Sequence, residues 1–338
     1  MTRPLPTIQD VARAANVSTA TVSRALSYPE RVSEETRRLV IEAIERTGYR
    51  VNQMARNLRR QQTDAIVVLV PNLGNPFFSR VLAGIESTAA RAGYNVLIAD
   101  SRAPHARDGH LADYLDNNRA DGMIVLDGAP PGLSLAAPAR PRRPIVFCCE
   151  WDDAVGLPSV RFDNAGGEVL AVRHLAELGH TGIGHVLGPR ENVLTLARLD
   201  GFRRALTEIG LPERADWVFE GDFSLDAGVA AARRWLELAE RPTAVTASSD
   251  QMACGFIAEL HRAGVSVPGQ VSVVGFDDID IAAQFIPALT TVRQPRDQIG
   301  QRAAAMLLEL IQGGGQDDAG PVLLPPELAI RESSGPAA

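Results

Sequence analysis

From residue 63 onward the chain repeats one pattern, a short apolar run followed by a longer amphipathic stretch, and few folds accommodate it. Strand-like runs stand at Ala65–Val70, Tyr94–Ala99, Met123–Leu126, Ile145–Cys149 and Val160–Phe162. A second series follows at Ile183–Leu187, Val218–Glu220, Ala244–Thr246 and Val271–Gly275, with helical patterns such as 77–92 between strands. Strands that alternate with helices in this way form parallel sheets covered by helices on both faces. Two series predict two similar α/β lobes with a cleft between them. Proteins of this class place ligands at strand carboxyl ends and between lobes.

The first 62 residues have a different texture. Ile8, Val11, Ala12 and Ala15 follow helical spacing, and Thr7 with Asp10 forms a capping-box pattern in which aspartate replaces the usual Glu or Gln. Asn16 tolerates the left-handed turn that ends this helix. Ser18 can cap a second helix that buries Val22, Ala25 and Leu26. Ser33 can cap a third, with Glu34 and Glu35 in its first turn and Val40, Ala43 and Ile44 on its apolar side, ending at Gly48. Three short helices, the first two joined by a tight turn, make a helix-turn-helix unit.

Charge separates the same two regions. The chain carries a net charge of −7, but residues 1–62 hold 11 arginines against 6 acids (+5) and the remainder 23 against 35 (−12). A basic arm on an acidic body is the asymmetry of nucleic-acid binding confined to one end. The second helix supports it. In such units this helix enters the major groove by its N-terminal end. Ser18 and Thr21 can donate to phosphates, Thr19 and Ala20 are short enough to touch base edges, and Arg24 can pair bidentately with guanine. A helical protein contact is the other use open to this surface. The basic stretch RVNQMARNLRR that follows reads equally as a linker.

Other classes find little support. The apolar runs are too short to span a bilayer, and the first ten residues lack the apolar core of a signal peptide, so a cytoplasmic protein is expected. Three cysteines, two of them the adjacent Cys148 and Cys149, make no disulfide framework; on a strand the two would face opposite ways and pack as core. TGIGHVLG lies in an apolar strand run rather than at a strand-to-helix turn, which argues against a dinucleotide site. GFDDID lacks calcium-loop spacing. His174, His180 and His185 fall on different elements, so no metal is expected, and neither a cofactor nor a catalytic residue is assigned.

The segments TIQDVARAANVSTATVSRAL, VSEETR, ARNLRRQQT, PNLGNPFFSRVLAGIE, DGMIVL, VRFDN, ARLDGF, SDQMACG, VSVVGFDDID and PALTTVRQP, in this order, resemble the LacI/GalR family of bacterial repressors, nearest its cytidine and purine branch. The resemblance covers essentially the whole chain. It implies a helix-turn-helix headpiece over 1–62 with a hinge helix at about 51–60, joined to a periplasmic-binding-protein-like sensor over 63–338. The sensor's first lobe would comprise about 63–162 and 293–319, its second about 163–290 and 320–332.

The resemblance also places functional residues. Thr19, Ala20 and Arg24 fall where the family reads bases, Asn52 belongs with the DNA-contacting residues, and Leu58 matches the leucine wedged into the minor groove of a palindromic operator. Val51 departs from the proline common at the hinge entry. In the sensor, Arg198 matches the effector anchor and Asp277 the aspartate opposite it. Phe78, Trp151 and Phe223 match aromatic platforms, and Asn192 and Ser249 add polar contacts. Leu194 replaces a polar residue of the purine-type pattern. The implied function is that of a homodimeric regulator of the repressor kind that binds double-stranded operator DNA, controlled by a nucleoside or, alternatively, a sugar or sugar acid. A transport receptor or a sugar- or nucleoside-modifying enzyme is the remote alternative.

Overall fold

The computed structural model describes residues 6–49, 62–103, 111–117, 119–130, 143–314 and 320–337, and the chain divides into two units, Met1–Thr63 and Asp64–Ala338. The proposed hinge helix, with Asn52 and Leu58, lies outside the described residues.

The first unit contains α1 (Ile8–Ala15), α2 (Thr19–Ser27) and α3 (Glu34–Thr47). Each start signal works as its chemistry suggests. The Asp10 carboxylate accepts the Thr7 N–H at 2.9 Å, Ser18 Oγ accepts the Thr21 N–H at 3.0 Å, and Ser33 Oγ accepts the Thr36 N–H at 3.3 Å. Asn16 (φ 54°) and Gly48 (φ 67°) end α1 and α3 in the left-handed region. Val11, Ala12, Ala15, Val22, Ala25, Val40 and Ala43 form the core. So small a core gains from side-chain ties, and the Arg46 guanidinium donates to the Ala14 carbonyl at 2.8 Å, closing α3 onto α1.

The second unit holds two six-stranded sheets. Its elements run β1 (Ala65–Val70), α4 (Phe77–Arg91), β2 (Asn95–Asp100), α5 (Asp113–Asp116), β3 (Gly122–Val125), β4 (Ile145–Cys148) and β5 (Ser159–Phe162). Then come α6 (Asn164–Glu177), β6 (Ile183–Val186), α7 (Val193–Ile209), β7 (Val218–Phe219), α8 (Leu225–Glu237), β8 (Ala244–Ala247), α9 (Asp250–Arg262) and β9 (Ser272–Asp277). The chain ends with β10 (Thr290–Arg293), α10 (Arg296–Ile311), β11 (Val322–Leu324) and β12 (Glu327–Ala329). The sheet orders are β11-β5-β4-β3-β1-β2 and β12-β10-β9-β8-β6-β7. Every pairing is parallel except β12 on β10. Residues 65–70 are buried throughout, as a strand covered on both faces must be.

The lobe boundaries need one correction. Residues 320–332 do not all join the second lobe: Val322 pairs with Val160 in the first sheet, and only Glu327–Ala329 pairs in the second. Pro325 and Pro326 separate the two three-residue strands and carry the chain across. The chain therefore passes between lobes after β5, after β10 and between β11 and β12.

Helix α10 returns to the first lobe and packs along α4 at very close range. A Cβ at Gly84 would lie 2.3 Å from the Asp297 carbonyl oxygen, and one at Gly300 would lie 2.1 Å from that of Val81. Both contacts are backbone, which cannot rotate away. Gly300→Ala is expected to destabilise the sensor by about 1–3 kcal/mol, the usual cost of overpacking, despite the higher helix propensity of alanine. Thermal unfolding of the full chain measures this; an unchanged or raised midpoint would show that α4 and α10 can separate at little cost.

Candidate functional site

A cleft with about 380 Å³ of space free of atoms opens between the lobes of the second unit. The first lobe lines it with Asn75, Phe77, Phe78, Cys149 and Glu150. The second contributes Leu194, Arg198, Phe223, Ser249 and Asp277. These side chains come from strand ends and the helix starts that follow them, where parallel sheets present ligand-binding groups.

Arg198, on the second turn of α7, is 2 % exposed. Its guanidinium Nε donates to Asn164 Oδ1 at 2.9 Å and an Nη donates to the Ser248 carbonyl. Its ring-facing side stacks over Phe276 with the guanidinium carbon 3.8 Å from the ring centroid. Asp277 Oδ1 lies 4.0 Å from Arg198 Nη2, an ion pair without a hydrogen bond between its members. Burial pulls the Arg198 pKa down, and the carboxylates of Asp277 and Glu168 oppose that pull. Beneath Ser248 a buried polar chain continues. Ser248 Oγ meets His185 Nε2 at 3.1 Å, and His185 Nδ1 lies 2.7 Å from Thr246 Oγ1 and 3.2 Å from Glu168 Oε1. The arginine is thus fixed from behind by the second lobe, and one side of it faces the cleft.

Asp277 ends β9 with φ 121°, and its carboxylate accepts from the Gln294 side-chain amide at 2.8 Å. Burial pushes its pKa up to about 6, against the lowering effect of Arg198. Cys149 (φ 70°) and Phe223 (φ 68°) share this feature of positive φ, so three cleft residues that are not glycine hold strained backbone. Such strain persists where surrounding structure over-determines it, and it concentrates at ligand clamps.

The structure brings Phe78, Arg198, Phe223, Ser249 and Asp277 together in one cleft. Asn192 caps α7 by accepting the Leu194 N–H at 2.9 Å, and it is not among the residues that line the cleft. Trp151 is not among the residues that line the cleft: its indole N–H donates to Asp153 at 3.2 Å and Arg161 stacks on its ring at 4.5 Å, whereas its neighbour Glu150, after the left-handed Cys149, does line it. Phe77, edge-on to Phe78 at 5.1 Å between centroids, supplies a third ring instead. The same turn overturns the expectation for the cysteines: Cys148 and Cys149 do not face opposite ways, and their sulfurs lie 3.8 Å apart.

In the first unit, Ser18, Thr19, Ala20 and Arg24 are exposed and Thr21 is half-buried. Ser18 Oγ and Thr21 Oγ1 are 2.8 Å apart, so one of the two hydroxyl protons is spent between them and one is left for an outside acceptor. Among the described residues no hydrogen bond or ion pair is made by the Arg24 side chain, which is exposed. No described group of three or more His, Cys, Asp or Glu residues could hold a metal. No described helix is long and apolar enough to cross a membrane.

Comparison with known proteins agrees with both halves. Residues 7–52 match bacterial regulatory proteins of the lacI family, and residues 172–334 match the periplasmic binding protein-like domain. The chain is 39% identical over 328 residues to the HTH-type transcriptional repressor CytR of Escherichia coli (strain K12), covering 97% of this chain and 96% of that one. Among solved structures it is similar to the Lac repressor dimer bound to operator and the anti-inducer ONPF, with a TM-score of 0.86, 30% identity, and coverage of 98% and 100%. A LacI family transcriptional regulator from Enterococcus faecium with bound ribose matches with a TM-score of 0.72 and 29% identity, over 80% of this chain and 99% of the other.

Proposed function

This chain belongs to the lacI family of bacterial regulatory proteins, DNA-binding transcriptional repressors controlled by small effectors, and on that premise we propose that its own effector is a nucleoside. The observation that carries this reading is the pairing, in one cleft, of three phenylalanines with the Arg198–Asp277 pair. A base stacks among rings, and vicinal ribose hydroxyls need an acceptor and a donor side by side, which a carboxylate and a guanidinium provide. Phe77, which lines the cleft where Trp151 does not, supports this reading.

We further propose that the chain acts in the cytoplasm as a homodimer on a palindromic operator, with Thr19, Ala20 and Arg24 at base edges, Ser18 and Thr21 at phosphates, and Asn52 and Leu58 completing the contact. The effector shifts the equilibrium between lobe arrangements and thereby operator affinity. The protein binds its ligand without turning it over.

Calorimetry on the full chain with nucleosides, ribose, glucose and free bases tests the proposal. A nucleoside is expected to bind at least tenfold more tightly than ribose or its own base. The ribose-bound relative favours a second reading, a simple sugar effector. Saturable heat from a sugar and none from any nucleoside establishes that reading instead.

The pH dependence has a definite sign. Ionised Asp277 accepts a hydroxyl's hydrogen bond more strongly than the neutral acid, and burial pushes its pKa up to about 6 in the free chain, with Arg198, Arg296 and Asp250 as its charged neighbours. Effector affinity should therefore be constant well above pH 6 and fall below it. The effect on folding runs the other way. A carboxyl raised from 3.8 to about 6 favours the folded state at low pH and loses that contribution as pH rises through about 6. Binding titrations from pH 5 to 8 check this (about 5 and 8 being chosen to bracket the transition). A profile flat across that range, or one that Asp277→Asn leaves unchanged, removes Asp277 from the site.

A further inference from the structure

Glu150 is the one cleft residue with a charge that neither the sequence reading nor the sugar-binding pair accounts for. It is 7 % exposed, and it sits just past the end of β4 where the left-handed Cys149 turns the chain into the cleft. Its carboxylate is held from the first lobe, where Oε2 accepts the Gly128 N–H at 3.0 Å. Gly128 permits this close approach: a Cβ there would lie 2.9 Å from the Trp151 carbonyl oxygen and 3.4 Å from Glu150 Cβ.

Among the described residues no arginine or histidine forms an ion pair with this carboxylate. A carboxylate has about four lone-pair sites and the Gly128 N–H fills one of them, so the group presents spare acceptor capacity in a nearly water-free wall. A ligand that buries it must bring a donor. With ribose hydroxyls on Arg198 and Asp277, the part of a nucleoside left to face Glu150 is the base edge. Along that edge amino bases place an exocyclic N–H donor beside a ring-nitrogen acceptor, and keto bases place an oxygen acceptor beside a ring N–H donor; at the exocyclic position itself the amino group donates to a carboxylate and the keto oxygen opposes it.

We infer that Glu150 is a specificity-determining residue whose carboxylate accepts a hydrogen bond from the exocyclic amino group of the effector's base, selecting amino-substituted nucleosides over their keto counterparts. This rests on the nucleoside reading given above. Sites built to hydrogen-bond a substrate group reject analogues that lack it, because a buried partner is left unmatched.

The test compares matched pairs on the full chain by calorimetry: cytidine against uridine and adenosine against inosine. In at least one pair the amino member should bind about 10- to 100-fold more tightly, the range of one hydrogen bond to a charged group. Glu150→Gln should reduce that preference to within about threefold, since its amide can turn its NH₂ towards a keto oxygen. Equal affinities within both pairs on the unaltered chain overturn the inference and leave the nucleoside reading standing. So does a preference that survives in a folded Glu150→Gln chain. Binding of ribose with no heat from any of the four nucleosides overturns both. Should Glu150→Gln fail to fold, the comparison on the unaltered chain still decides, because a keto preference or parity contradicts the role.

Discussion

An Arg198→Ala chain is expected to keep its operator affinity in the absence of effector and to lose its response to effector, with ligand binding weakened on the order of 100-fold or more. The guanidinium is nearly inaccessible to water and is committed to Asn164 and Ser248 before any ligand arrives. Its removal strips the ligand of a charged donor, at about 1.5–3 kcal/mol. It also leaves Asp277 without its nearest cation, which raises further a carboxyl that burial already pushes up to about 6 and so weakens the hydroxyl acceptor as well. Both losses act on the same ligand group. Arg198→Lys should not restore binding, because an ammonium cannot span Asn164, Ser248 and the cleft with one planar fork. Calorimetry for the ligand and a gel shift for the operator separate the two effects. A ligand affinity within threefold of the parent chain shows that Arg198 is structural only.

The second large effect lies in the headpiece. Arg24→Ala should lose about 1–3 kcal/mol of discrimination between operator and scrambled DNA, while the fold of the first unit is retained. Retention follows from the position: Arg24 is exposed, whereas the core is carried by Val22 and Ala25 on either side of it. The measurement is operator and scrambled-sequence affinity at one salt concentration, because phosphate contacts alone change affinity steeply with salt. Equal losses on both sequences would identify Arg24 as a phosphate contact and move base reading to Thr19 and Ala20.

Much of this architecture is legible in the residues, because the signals are local. Ser18, Ser33, Asn16 and Gly48 mark helix ends through side-chain and backbone chemistry that acts within a single turn. Ala65–Val70 is legible because a strand buried on both faces leaves a continuous apolar run. What escapes depends on tertiary placement. Val322–Leu324 and Glu327–Ala329 are too short to show a period, and only pairing assigns one to each sheet. Thr290–Arg293 offers Thr and Arg where an interior parallel strand usually offers aliphatic residues, and its Thr291 hydroxyl is held by Asp250 at 2.5 Å.

The cleft shows the same division. Arg198 and Asp277 stand in segments with a recognisable family pattern, so their roles are carried by resemblance. Glu150 and Trp151 are adjacent, and of the two only Glu150 lines the cleft, directly after the left-handed Cys149. Nothing in the side chains announces a non-glycine residue at φ 70°. Trp151 is placed by resemblance alone, and the resemblance carries no information on the backbone turn that precedes it.

The central claim, that a nucleoside bound in the cleft governs DNA binding by the headpiece, has one direct test. Fluorescence anisotropy of a labelled palindromic duplex, selected from a random library by the full chain itself, is followed at fixed salt as nucleoside is added. Operator affinity should change at least tenfold at saturation, and the operator should change nucleoside affinity by the same factor, as linkage requires. An operator affinity that stays constant at saturating nucleoside, while ribose or another simple sugar shifts it, contradicts the account.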